Sequence, residues 1–302
     1  MKMGVDSMIV DFKPLITREI NCFDNALANI ANWFGEGYIY GEGYLYIFAQ
    51  SLPFTYKNWD YVIGNNIFFS QKPKFELIEK YFGASHCYYE GFPPDRLLEI
   101  IKAEIDSNNP VFIGFDTYWM PWDIKYQNEH FYYHYCIAVG YDDNSVFIAD
   151  PFKGFVDFKP LSIEYFLKGI GTCTTFSKRA GFISEKVHWL TVLEDAFKSY
   201  NYNQGDRCFL NSLRLLANEI EDKMKFDVEF KGLSKQLAWQ APIVKNLLEI
   251  KNYRNVFSNL LEYIYTNYYR HESIIALSKF YKKLASMWLK THNHLYKGFL
   301  VN

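Results

Sequence analysis

The sequence has no CxxC pair. Its five cysteines, Cys22, Cys87, Cys136, Cys173 and Cys208, are odd in number and widely spaced, which argues against a disulfide framework or a structural zinc site and fits a reducing compartment. No stretch approaches the roughly 20 uninterrupted apolar residues that a bilayer span requires. The segment MKMGVDSMIVDF holds no apolar run of signal-peptide length, so a cytoplasmic protein without a membrane partner is expected. Charge of one sign is missing too: 32 basic residues face 34 acidic ones, for a formal net charge of -2. Nothing global therefore favours nucleic acid or an anionic surface, and the lysines of the final third, mixed with glutamates, fit solvated helix faces. Neither GxGxxG nor GxxxxGK occurs, so nicotinamide, flavin and ATP sites have no support and no cofactor is expected.

What the chain has in excess is aromatic side chains, 25 Tyr and 27 Phe among 302 residues. They imply thick aromatic packing; they would also suit a large pocket, although an AT-rich genome gives the same bias. The length suffices for one large core or two modest ones. Period-two apolar patterning before about residue 180 and near-3.6 patterning after about Glu185 divide the chain into an α+β part and a mostly helical part, with Leu247, Leu260, Ile264, Leu277, Phe280 and Leu284 as the periodic residues of the second.

In NCFDNALANIANWF, residues 21–34, the positions Phe23, Leu27, Ile30 and Phe34 recur at helical spacing and predict a buried stripe. Asn21 is the expected cap, with Asp24 in the first turn. The segment from Gly35 to about Ser70 offers LYIFA and NNIFF as short strands. Helices are expected at 74–81 and 95–106, the second opened by Pro93 and Pro94. Strands are expected at 111–115, 134–141 and 146–150, with another short one at 155–158.

With Asn21 as cap, Cys22 is the first helical residue, where the helix dipole and unpaired amides favour a thiolate. The bland alternative is a small apolar residue near a helix start, so the assignment depends on partners. Asp142, Asp143 and Asn144 form a turn-rich connection that favours antiparallel pairing of 134–141 with 146–150. If Tyr141 pairs with Ser145, Cys136 opposes Asp150, and His134 lies on the same face one diagonal step away, roughly 7 Å between β-carbons. A one-residue slip would put the two on opposite faces. In that geometry Asp150 orients His134, which activates Cys22 and later protonates the leaving group. Singly, His134 reads equally well as a sheet-surface histidine and Asp150 as a turn residue before Pro151. His130 stands four residues before His134, but four extended residues span about 13 Å, too far for a shared metal. No metal site is expected, and His130 is a candidate substrate contact.

Three segments, NCFDNALANI, PVFIGFDTYWMPW and HFYYHYCIAVGYDDNSVFIADP, resemble the butirosin biosynthesis protein H family, whose N-terminal domain is related to papain-like and bacteriocin-processing cysteine peptidases. The resemblance implies a papain-like catalytic domain over 1–182 and a mostly helical domain over 183–302. It also implies acyl transfer, in which an aminoacyl group leaves the thioester of an acyl carrier protein, is held on Cys22 and passes to an amine of a small metabolite. One departure stands out. Papain-like peptidases usually place a glutamine a few residues before the nucleophile, and PLITREINC has none, which leaves the amides of Cys22 or Phe23 and the Asn21 side chain as candidate oxyanion donors. Trp119 and Trp122 are candidate channel residues. A peptidase, amidase or thioesterase using the same three residues differs only in delivering the acyl group to water. A non-enzymatic binding or scaffold protein would be indicated if iodoacetamide labelled Cys22 no faster than the other thiols.

Overall fold

The computed structural model describes residues 7–16, 21–34, 54–69, 74–132, 134–178, 189–201 and 209–301. The LYIFA strand expected at 45–49 lies outside them. In chain order the elements are β1 (Met8–Ile9), α1 (Cys22–Phe34), β2 (Phe54–Tyr56), β3 (Ile67–Phe69), α2 (Lys74–Phe82), β4 (Ala84–Glu90), α3 (Pro94–Asp106), β5 (Val111–Phe115), β6 (His134–Tyr141), β7 (Ser145–Ala149), β8 (Lys159–Ser162), α4 (Ile163–Gly169) and β9 (Ile170–Lys178). The helices α5 (Trp189–Asn201), α6 (Phe209–Lys223), α7 (Phe226–Glu229), α8 (Pro242–Asn267) and α9 (Glu272–Val301) follow. Among the described residues no helix is long and apolar enough to cross a membrane.

The chain forms two compact units, one of residues 1–44 and 73–187, the other of 45–72 and 188–302. This differs from a single cut at 182/183, because 45–72 clusters with the C-terminal helices. The reason is a shared core: Phe54, Tyr56, Ile63 and Ile67 are buried together with Leu216, Phe230, Ile243, Val244, Leu247 and Ile250. The buried Glu229 carboxylate accepts the Ile63 and Gly64 N–H groups at 2.5 and 3.0 Å, and a β-carbon on Gly64 would stand 2.2 Å from the Ile243 nitrogen. In the long helices, Leu247, Leu260 and Ile264 are fully buried as their spacing predicts, but Phe280 is 54% exposed and α9 instead turns Ser278, Tyr281 and Ala285 inward.

The first unit is α+β. Its antiparallel sheet runs β4-β9-β5-β6-β7-β8, and β1 pairs with the turn end of β6. The all-buried VFIGF of β5 and the largely buried β6 form the middle of the sheet. Against β6 packs α1, which is buried all round from Asp24 to Asn32 rather than along one stripe, while Phe23 and Phe34 at its ends are half-buried. A helix enclosed on all sides must satisfy its polar residues internally. Asn29 does so by receiving the Leu15 N–H at 2.6 Å and donating to the carbonyls of Leu15 and Asn25 at 3.1 and 2.9 Å. The strand expected at 155–158 begins instead at Lys159, because Gly154 ends the turn after Asp150 in a left-handed conformation (φ 82°) and a bend follows.

Candidate active site

Asn21 caps α1: its Oδ1 accepts the Asp24 N–H at 2.8 Å, and its Nδ2 donates to Asp24 Oδ2 at 3.1 Å. That cap fixes Cys22 as the first helical residue, half-exposed at the positive end of the helix. Helix geometry gives the Cys22 and Phe23 N–H groups no intrahelical acceptor. The Phe23 ring is held edge-on against Tyr135 and Phe112, at 4.9 and 5.2 Å between centroids, and so ties the helix start to the sheet.

The β6–β7 hairpin brings in the other two residues. Near the site the register is Ile137 opposite Ala149 and Ala138 opposite Ile148; extending it one step sets Cys136 across from Asp150, with His134 one diagonal step off. At the turn the pairing is Tyr141 with Val146, not Ser145, and a bulge between Ala138 and Gly140 absorbs the difference. The turn is thus one residue longer than expected, held by Asp142 Oδ1, which accepts the Asn144 and Ser145 N–H groups at 2.8 and 2.7 Å.

His134 Nε2 lies 3.0 Å from Asp150 Oδ2, with both side chains buried. With Nε2 engaged there, Nδ1 is the nitrogen left for the Cys22 thiol, which is hydrogen-bonded to His134. Burial by itself would lower the imidazole's proton affinity; the Asp150 charge and hydrogen bond, and then Cys22, outweigh it and raise His134 from 6.5 to about 10. Burial pushes the Asp150 carboxyl up, yet the charge and hydrogen bond of His134, the indole of Trp122 and the charge of Lys153 bring it below its ordinary range. The imidazolium is therefore the favoured form at neutral pH, placed to stabilise a thiolate and to protonate a leaving group.

The other thiols are placed differently. Burial, followed by the charges of Asp150 and Cys22, pushes Cys136 well above its usual range, and burial with Glu104 pushes Cys173 to about 12. Cys87 is exposed, and Cys208 lies outside the described residues.

The four candidate substrate contacts are each held by contacts within the first unit. The Asn21 amide is engaged with Asp24 as the helix cap. Trp122 Nε1 donates to Asp150 Oδ2 at 3.0 Å, which makes it a support of the carboxylate, a role its sequence position did not disclose. Trp119 packs against Tyr118 and Tyr165, with Lys168 4.9 Å above its ring. His130 Nδ1 sits 2.6 Å from the buried Asp116 carboxylate, and its ring stacks between Tyr118 and Tyr132 at 4.1 and 5.6 Å. Asp116 and Lys74, the latter in an ion pair with Asp24, are neighbours that sequence reading missed; a charged residue just past an all-apolar strand was the available signal for Asp116. Among the described residues no group of three His, Cys, Asp or Glu side chains is placed to hold a metal ion.

A thiol at the start of a buried central helix, an imidazole on the adjoining strand and a carboxylate at the end of the next resemble the arrangement of papain-like cysteine enzymes. Residues 21–151 match the family described as Butirosin biosynthesis protein H, N-terminal. Among solved structures the chain is similar to a crystal structure described as a C39-like peptidase from Bacillus anthracis, at 20% identity and a TM-score of 0.42, covering 58% of this chain and 98% of that one. No curated protein shows a significant match.

Proposed function

We propose that the protein is an acyltransferase of antibiotic or related secondary metabolism. In this reading it takes an aminoacyl group from an acyl carrier protein thioester onto Cys22 and delivers it to an amine of a small metabolite. The observation that carries the reading is the Cys22–His134–Asp150 line, with His134 Nε2 3.0 Å from Asp150 Oδ2, set in a segment that matches the butirosin biosynthesis protein H N-terminal family.

The Cys22 thiolate attacks the thioester carbonyl, the carbon–sulfur bond to the carrier breaks, and the departing thiolate takes the proton from His134. The amine then attacks acyl-Cys22, His134 accepts the amine proton, and the bond to Cys22 breaks to release an amide. Asp150 holds the ring in position through both steps, and the N-terminal amides of α1 supply donors to the tetrahedral oxyanion.

Incubation with an aminoacyl carrier-protein thioester is expected to add the acyl mass to the peptide containing Cys22, and an acceptor amine to discharge it as an amide. Cys22→Ala should abolish both steps, and Asp150→Asn should slow acylation by at least about a hundred-fold. Acylation of the Cys22→Ala protein at the wild-type rate would overturn the covalent mechanism. Release of every acyl group as free acid would instead assign the same residues to a peptidase, amidase or thioesterase.

A further inference from the structure

Asp24 is fully buried two residues after the candidate nucleophile, in the first turn of α1. A buried carboxylate there competes with a Cys22 thiolate for the positive end of the helix and repels it. Among the described residues a cation is paired with it. Lys74, the first residue of α2, reaches across to Asp24 Oδ1 in an ion pair, while Asn21 Nδ2 occupies Oδ2 at 3.1 Å. The ammonium also lies 5.6 Å from the centroid of the Phe23 ring, the residue between the two anions, and its side chain is only 17% exposed.

We propose that Lys74 is a positioning residue for the cysteine chemistry: by neutralising Asp24 it leaves the helix terminus available to the Cys22 thiolate and holds the Asn21 cap in place. This rests on Cys22 being the nucleophile. Among the described residues His134 and Cys136 from β6 interact with Cys22, Asp150 at the end of β7 acts on His134, and Lys153 acts on Asp150. None of these is paired with Asp24 in the way Lys74 is. A unit charge within one helical turn, at an effective dielectric near 20, changes an ionisation equilibrium on the order of ten-fold.

The test is the pH–rate profile of iodoacetamide labelling at Cys22, read by peptide mass on the full chain. Lys74→Met should displace the profile upward by about one pH unit, and Lys74→Arg should leave it near wild type. The double variant Lys74→Met/Asp24→Asn should restore it, since the anion is gone along with its partner; a purely structural role for Lys74 would not be rescued this way. If Lys74→Met fails to fold, Asp24→Asn alone should move the profile downward. An unchanged profile in Lys74→Met or in Asp24→Asn, or a double variant displaced as far as Lys74→Met, overturns the proposal. A wild-type Cys22 that labels no faster than the exposed Cys87 overturns the nucleophile reading and this inference with it, which separates the two failures.

Discussion

Asp150 Oδ2 receives both His134 Nε2 and Trp122 Nε1, each at 3.0 Å, while Oδ1 is buried without a hydrogen-bond partner among the described residues. The carboxylate is thus held in one orientation by two donors converging on one oxygen. Trp122→Phe keeps an aromatic, though smaller, ring and removes one of them, a bond to a charged group of about 1.5–3 kcal/mol. Acylation of Cys22 should slow by about ten-fold or more, measured by single-turnover mass spectrometry, while the helical and sheet content stays unchanged. The same pair sets a pH dependence of stability. His134 is raised above 6.5 to about 10, so its contribution is complete below 6.5 and disappears as pH rises through 10. Asp150 is lowered, so its contribution is present above its ordinary range and disappears as the carboxylate protonates in acid. Urea midpoints should therefore fall on both flanks, and His134→Gln should flatten the alkaline one; an alkaline limb equally steep in that variant would contradict the assignment. At this scale the sequence was readable where residue type and parity sufficed. Cys22, His134 and Asp150 meet because a cap and a two-residue periodicity place them. Trp122 and Lys74 were not readable as supports, because each reaches its partner through a turn or a separate helix that no spacing rule encodes.

At the scale of elements, the β6–β7 hairpin shows how an unexpected turn can coexist with the expected register at the open end. Side-chain parity along a strand is fixed by pleating, so inward-facing His134 and a carboxylate ending the next strand demand one register at the open end whatever the turn does. The extra turn residue is absorbed by the bulge near Val139. Gly140 sits beside that bulge, where β1 crosses: an added β-carbon would meet the Met8 carbonyl oxygen at 2.6 Å. Gly140→Val should consequently detach β1 and cost about 1–3 kcal/mol, seen as faster amide exchange at Val10, whose N–H bonds to the Val139 carbonyl at 2.8 Å. Exchange at Val10 as slow as in the wild type would show that the crossing tolerates a side chain. Strands β4 and β9 escaped the sequence reading for a related reason. ASHCYYE and IGTCTTFSK do not alternate cleanly, and their pairing from Ala84 with Lys178 to Glu90 with Thr172 joins segments some ninety positions apart.

At the scale of the whole chain, the change from period-two to helical patterning near residue 185 marked a true change of structure, but a linear cut could not show that 54–69 returns to the helical unit. The aromatic and aliphatic residues of β2, β3 and the turn between them carry no label saying which core they fill. Two long-range contacts decide it: the Glu229 carboxylate on the Ile63 and Gly64 N–H groups, and the Asn246 side-chain amide on the Gly64 carbonyl at 2.9 Å. A fragment of residues 183–302 would therefore lack Phe54, Tyr56, Ile63 and Ile67 from its core and would leave Glu229 buried without its two donors. Removal of several large buried side chains costs about 2–5 kcal/mol each, and an unsatisfied carboxylate adds to that. Such a fragment should bind a hydrophobic dye and melt without a cooperative transition, whereas residues 45–72 joined by a flexible linker to 188–302 should melt cooperatively. In the full chain, Glu229→Ala should lower the melting temperature of this unit more than Glu229→Gln, which keeps one acceptor oxygen. Equal melting of the two fragments would mean that the hairpin is an accessory to the helical core and that the unit begins, as the sequence pattern alone suggests, near residue 185.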